Sequence, residues 1–252
     1  MNKKRHNPRF CITFHIINEQ LAKKLLSLVG YGHISYKPKN NACVLTISPV
    51  RGLMHVVSLI NGELRTPKIN QLCLSIDWWN KNHNSNLTKL PLKSGPLNKD
   101  SWLRGFIDAD GSFSIQHTKR ESGSKKRKIS CRLRIEQRML DPSTKESYFS
   151  VLTDISKFLC CNLLTRKQLS TGNKYYTLTA SSKKFLFIII SYFDCFPLYS
   201  SKFLDYSDWT QASKLIIKDL HLSNEAIAKI DLLKNGMNRK RSLFNWEHLN
   251  KL

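Results

Sequence analysis

The stretch Ser101-Trp-Leu-Arg-Gly-Phe-Ile-Asp-Ala-Asp-Gly-Ser-Phe-Ser-Ile115 changes its periodicity halfway along. Leu103, Phe106 and Ile107 recur at helical spacing behind Asp100 or Ser101, either of which suits an N-cap. Past Gly111 the residues alternate as in a strand, so the stretch predicts a helix that ends at Gly111 and a strand that follows it. Gly105 and Ala109, four residues apart, leave a groove along one side where another helix could approach closely. Asp108 and Asp110 crowd the last turn, where the negative end of the helix dipole disfavours carboxylates. A helix built for stability alone would carry Lys or Arg there. A cation has to compensate, and a divalent metal held by carboxylate oxygens would do so. The plainer alternative is a core helix that merely ends acidic.

The composition points to a polyanion. The 252 residues carry 41 Lys+Arg against 18 Asp+Glu, a formal charge of +23. Such an excess implies nucleic acid first and an anionic membrane surface second. No apolar run reaches the ~18 residues of a membrane span, so no membrane partner is expected. Seven cysteines, none in a Cys-x-x-Cys pair, read as reduced and mostly buried. The basic start, Met1-Asn-Lys-Lys-Arg-His, has the charge of a transit peptide, yet a strand pattern follows at once.

Along the chain the same order of elements occurs twice. Phe10, Ile12, Phe14 and Ile16 alternate with Arg9, Cys11, Thr13 and His15, a strand with one apolar face. A helix over residues 20–29, strands at 33–36 and 42–47, and helices after Pro49 and Lys68 complete the first set. Residues 81–96, rich in Asn and Lys, read as the linker. After the acidic helix comes a strand over 129–135 with Ser130, Arg132 and Arg134 outside. A helix over 148–159, a hairpin joining 163–166 to 175–179, and helices over 184–193 and past Trp209 follow. Phe14-His-Ile-Ile-Asn18 lies over Leu133-Arg-Ile-Glu-Gln137, and Leu64-Arg-Thr-Pro-Lys68 over Leu198-Tyr-Ser-Ser-Lys202. The expected fold is α+β: two pseudo-symmetric repeats, each an antiparallel sheet with helices on one face. The expected domains are 1–80, a linker over 81–99, 100–212, and a basic C-terminal extension over 213–252, where Ser223 caps a helix with Ile227, Ile230 and Leu233 in its stripe.

Leu103-Arg-Gly-Phe-Ile-Asp-Ala-Asp-Gly111 resembles the signature of the LAGLIDADG homing endonucleases, departing from it at Arg104, usually small, and mildly at Phe106. The resemblance, with the repeats, spans nearly the whole chain. It implies a site-specific double-stranded DNA endonuclease encoded in an organellar intron, mitochondrial with plastid as the alternative. It also implies two saddle-shaped sheets over the DNA and hydrolysis that depends on Mg²⁺ or another divalent cation. In that family two acidic helices each deliver a metal-binding carboxylate. Here no acid precedes Glu19, so the first repeat lacks its own. The expectation is a second copy of the helix from an upstream segment or another chain, or a loss of cleavage.

By the same resemblance Asp110 is the metal-binding acid, with Gly111 beside it, while Asp108 is expected to make a structural hydrogen bond. Lys202 and its repeat mate Lys68 match lysines that approach active-site solvent and phosphates; a surface charge is the other reading. Gln137 matches a polar residue that positions water, with Asn18 its shorter counterpart; both could equally be strand-end caps. The outward strand positions Arg9, Thr13, His15, Ser112, Ser114, Gln116, Arg132 and Arg134 form polar, cation-rich faces suited to a major groove, or else merely solvated. The run from Thr118 to Lys128, with Lys119, Lys125, Lys126, Arg127 and Lys128, reads as a phosphate-tracking loop or a solvated one. Arg239-Lys-Arg241 stands evenly between a phosphate contact and a solvated helix exit. The rival functions are an RNA-binding maturase that assists splicing of the host intron RNA, and an inactive remnant.

Overall fold

The alternation that opens the chain folds as its pattern requires. β1 (Phe10–His15) turns Phe10, Ile12 and Phe14 inward and leaves Cys11, Thr13 and His15 exposed. The computed structural model describes residues 7–118 and 128–251. A short 3₁₀ turn leads into α1 (Glu19–Val29), which Gly30 closes in the left-handed conformation (φ 74°) that a glycine adopts without penalty. β2 (His33–Lys37) and β3 (Ala42–Ile47) follow as a hairpin, then α2 (Val50–Ile60) and α3 (Ile69–His83). The strands form an antiparallel sheet in the order β1-β3-β2. Ile47, Leu53, Val56 and Trp79 form one small apolar core, and Val57, Leu72 and Ile76 another.

The second set begins with α4 (Trp102–Asp110), which runs into β4 (Gly111–Thr118) with no residue between them. β5 (Lys128–Arg138), α5 (Phe149–Phe158), β6 (Leu163–Lys167), β7 (Lys174–Ala180), α6 (Lys183–Cys195) and α7 (Lys202–Ile217) follow, and then α8 (Asn224–Asn235). The sheet is antiparallel in the order β4-β5-β7-β6. Its inner face supplies Phe113, Ile115, Ile129, Cys131, Leu133, Ile135, Leu178 and Ala180 to a core that also holds Leu103 and Ile107 of α4 and Trp209 of α7. Trp209 meets Phe113 edge-on at 5.4 Å and Phe185 at 6.0 Å. Large rings buried in this way each contribute roughly 1.5–3 kcal/mol.

The chain divides into two compact units: Met1–Ser94 with Asp141–Glu146 and Leu249–Leu252, and Gly95–Leu140 with Ser147–His248. Set aside α4 and β4, and the second unit repeats the first, strand for strand: β5-β7-β6 stands as β1-β3-β2 does. The first unit thus lacks, among the described residues, a counterpart of the helix and of the strand that follows it.

Two expectations change. The presumed linker is not a free tether, because α3 runs on to His83 and residues 84–93 are pinned to the first unit. Asn80 Oδ1 accepts from Leu87 N–H (2.9 Å), Asn61 Oδ1 accepts from Leu90 N–H (3.1 Å), and Lys93 N–H donates to the Leu64 carbonyl (2.8 Å). All seven cysteines are free thiols as expected, but only Cys43 and Cys131 are buried, while Cys11, Cys160 and Cys195 are exposed. Gly111 ends its helix as expected, in an extended conformation (φ −84°, ψ 159°). The glycine serves close packing, since a Cβ there would stand 2.7 Å from Ile107 Cγ2 and 2.8 Å from its carbonyl oxygen.

Candidate functional site

Every contact of α4 fixes where its acidic end lies. At the start, Asp100 Oδ1 accepts from Trp102 N–H (3.0 Å), so Asp100 rather than Ser101 supplies the capping oxygen. The Tyr192 hydroxyl accepts from Arg104 N–H (2.9 Å) and donates to the Asp100 carbonyl (3.0 Å), joining α6 to the first turn. Arg104, unusual at its position, lays its guanidinium 4.0 Å from the centre of the Tyr199 ring. Leu103 and Ile107 are fully buried beneath it.

The two aspartates part company at the other end. Asp108 points into the loop before α7, where its carboxylate accepts from Tyr199 N–H (2.9 Å), Ser200 N–H (3.1 Å) and Ser200 Oγ (2.6 Å). That is the structural hydrogen bonding expected of it. Asp110, two residues on, is exposed.

Lys202, the first residue of α7, occupies the place where a helix wants a cation. Its ammonium donates to the carbonyls of Ile107 (3.2 Å), Asp108 (2.7 Å) and Ala109 (2.9 Å), the unsatisfied acceptors of the last turn. Burial lowers the pKa of Lys202, while Asp108, Asp110 and Asp205 hold it up in part. An ammonium has three donors, and all three are used. Lys202 is therefore a half-buried helix-end cap beside Asp110. The charge that α4 seemed to lack is supplied in part by this lysine.

Gln137 lies on β5 two residues past Ile135, the partner of Gly111. It stands on the inner face, about 7 Å along the strand from the Asp110–Gly111 junction. Asn18 and Lys68 belong to the first unit. Asn18 ends the 3₁₀ turn before α1, a different backbone setting from a strand, so the repeat alignment does not make it Gln137's structural equal. Lys68 is exposed at the start of α3, as Lys202 is placed at the start of α7.

The second sheet's outward face carries more than the strand pattern showed. Ser112 pairs with Arg134, Ser114 with Arg132 and Gln116 with Ser130, so the expected residues share one face. Register adds Thr179 opposite Arg134, Thr177 opposite Glu136, Tyr175 opposite Arg138, and Arg166 opposite Tyr175. Glu136 bridges Arg134 and Arg166; burial pushes its carboxyl up, but the two guanidiniums outweigh this and hold it below the usual range. The signal that would have found Glu136 and Arg138 was the period-two alternation carried to the end of β5, whereas Arg166 on β6 joins them only through the pairing order. Arg9 and Thr13 are exposed on the first unit, as is His15, whose Nδ1 accepts from Ile17 N–H (3.3 Å). Lys128 is exposed at the start of β5, whereas Lys119, Lys125, Lys126 and Arg127 lie outside the described residues.

The C-terminal extension is tied down. Ser223 caps α8 by accepting from Ala226 N–H (3.2 Å), and Asp231 meets the buried His117 ring at 2.7 Å. Arg241 pairs with Asp205 (3.1 Å) and Asp208 (2.5 Å), both on α7. Arg241 is thus spent on internal ion pairs, neither a phosphate contact nor a solvated helix exit.

A divalent metal must be judged against the donors present. Among the described residues no group of three or more His, Cys, Asp and Glu side chains is placed to hold one. With Asp108 engaged by Tyr199 and Ser200, the second unit offers one exposed carboxylate at this end of α4. One or two carboxylates completed by substrate phosphate oxygens are the donor set that Mg²⁺ accepts, so the residues fit a hard cation shared with a phosphate. Also among the described residues, no helix is long and apolar enough to cross a membrane.

Known proteins resemble this chain at three levels. The sequence profile described as LAGLIDADG endonuclease matches residues 103–213. The intron-encoded DNA endonuclease aI3 of Saccharomyces cerevisiae is 27% identical over 279 residues, covering 99% of this chain and 67% of the relative. A 37.2 kDa protein of cox1 intron 2 in Schizosaccharomyces pombe is 32% identical, covering 87% of this chain and 64% of its own length. The probable intron-encoded DNA endonuclease aI1 of Mycosarcoma maydis is 30% identical over 99 residues, 39% of this chain and 81% of the relative. This chain therefore spans about two thirds of the first two relatives. In fold, the meganuclease I-SmaMI bound to uncleavable DNA superposes with a TM-score of 0.70 at 21% identity, covering 92% of this chain and 88% of that one. The same meganuclease has also been solved on uncleaved target DNA in the presence of calcium ions.

Proposed function

The chain belongs to the LAGLIDADG endonuclease family, and on that premise we propose that it is a site-specific endonuclease that hydrolyses phosphodiester bonds in double-stranded DNA. The single observation that carries the reading is the end of α4. There one aspartate is locked into the fold by Tyr199 and Ser200, and the next is left exposed beside a half-buried ammonium.

The residues divide the work. Asp108 fixes the last turn through its three hydrogen bonds, and Lys202 fixes it from the other side through the three carbonyls. Together they fix the turn from which exposed Asp110 projects. Asp110, with the Gly111 carbonyl, would hold the divalent cation, Mg²⁺ in this reading, which supplies Lewis acidity toward the scissile phosphate. Lys202 acts on the reaction only through Asp110 and is a positioning residue. Gln137, at the same end of the sheet, would orient water near the phosphate in this reading. The outward face, with Arg132, Arg134 and Arg166 among serines and threonines, binds the duplex, the arginines suited to guanine edges. The cox1 intron of the S. pombe relative supports a mitochondrial intron as the origin.

The test uses a plasmid carrying the intronless form of the host gene. With Mg²⁺ the protein converts it to linear DNA. Asp110→Asn lowers the cleavage rate at least ~1,000-fold, as loss of a charge-stabilising group does, while duplex affinity in Ca²⁺ stays within a few-fold. Equal cleavage by wild type and Asp110→Asn overturns the assignment. A splicing defect in the host intron that is indifferent to Asp110→Asn would favour the maturase instead.

A further inference from the structure

The family profile ends at residue 213, and nothing in it accounts for the extension. α8 is held to β4 by the Asp231–His117 contact, and Arg241 is held to α7 by Asp205 and Asp208. Between these anchors Asn238 takes a left-handed conformation (φ 58°), which asparagine tolerates better than most residues. It is gripped twice: its N–H donates to Asp205 Oδ1 (2.9 Å), and its Nδ2 donates to the Phe113 carbonyl (3.1 Å) on β4, an edge strand. Three contacts tie the extension to the edge of the sheet.

What this frame presents is an open notch of about 370 Å³, lined by Ser114, Lys234, Asn238, Arg239 and Lys240 with Ile115 and Met237 at its base. Three cations line it and no acid does. Among the described residues Lys234 and Arg239 form no ion pair, and Lys240 donates only to the neutral Asn235 Oδ1 (3.0 Å). The contrast with Arg241 in the same basic run is informative. Arg241 is paired with Asp205 and Asp208 and holds the frame, whereas the notch cations have no acid among the described residues lining the notch with them. Ser114, one wall of the notch, also belongs to the outward face of β4 beside Arg132.

We propose that this notch is a binding site for backbone phosphates of duplex DNA, extending the interface past β4 onto the C-terminal extension. The inference rests on the DNA-binding reading above. An open, cation-lined groove continuous with a cation-rich sheet face suits a phosphate backbone, which carries charge but no sequence information.

The experiment measures affinity of the full chain for a 30-base-pair mixed-sequence duplex by fluorescence anisotropy across a range of KCl concentrations. The triple variant Lys234→Gln, Arg239→Gln, Lys240→Gln should flatten the log–log salt slope by ~2–3, at about 0.9 for each phosphate no longer neutralised. An equal-charge control, Lys157→Gln, Lys184→Gln, Lys218→Gln, removes three exposed lysines from the helical elements and should leave the slope at the wild-type value. Should the triple variant unfold, Arg239→Gln alone, at an exposed position, should still lower the slope by about 0.9. A notch variant that loses no more slope than the control overturns the inference while leaving the DNA reading intact. If the wild type shows no salt-dependent duplex binding, the DNA reading fails and the notch with it.

Discussion

Two aspartates separated by one residue do different work because a helix turns about 100° per residue and sends them apart. Asp108 is turned toward backbone N–H groups that need an acceptor; Asp110 is turned outward. Asp108→Ala would orphan two N–H groups and a hydroxyl that now share one carboxylate. We expect a loss of about 3 kcal/mol in denaturant unfolding, with Asp108→Asn losing less because it keeps an acceptor. Asp110→Asn should leave stability within about 0.5 kcal/mol, as exposed substitutions do. If the two variants are equally destabilised, the division of labour between them is wrong. The sequence showed that both acids were unfavourably placed. It did not show that a lysine 94 residues after Asp108 would cap the same turn, because Lys202 comes to those carbonyls only when α7 packs beside α4.

At the scale of elements, α7 is the hinge of the second unit's chemistry. Its first residue caps α4, its buried face carries Trp209 into the core, and Asp205 and Asp208 hold the extension. Asp205 and Arg241 are both largely buried, with side-chain exposures of 11% and 14%. A buried pair adds little over an apolar substitute, but removing one partner strands the other. Arg241→Met should therefore cost about 3 kcal/mol and open the chain after residue 236 to limited proteolysis. Unchanged protease resistance would mean that other contacts hold the extension. Neither acid could be matched to Arg241 from the sequence, since helical periodicity shows which residues share a face and not which distant cation meets them. Similarly, alternation placed Arg132 and Arg134 on the outward face, whereas the bridge from Glu136 to Arg166 needed the β5-β7-β6 pairing order.

For the molecule as a whole, the charge of +23 is a statement about partners and not about fold. Arg132, Arg134, Arg138, Arg166 and Lys128 share the outward strand positions, with Glu136 the one acid at these positions among the described residues, and on the proposed reading they would supply several phosphate contacts. Non-specific duplex affinity should accordingly fall ~100-fold or more between about 50 and 200 mM salt, which a filter-binding titration would show. A fall of only a few-fold would mean that the cations are not gathered on one DNA-facing surface.

The sequence by itself determined the α+β class, the doubled order of elements, the two faces of each outer strand and the identity of the acidic helix. All of these follow from periodicity and short-range chemistry, which operate within a few residues along the chain. Tertiary structure decided which acid was consumed by the fold, which lysine capped it, and which of the basic residues near the C-terminus remained available. Those outcomes depend on contacts between residues about 30 to 95 positions apart, and such distances in sequence carry no local signal.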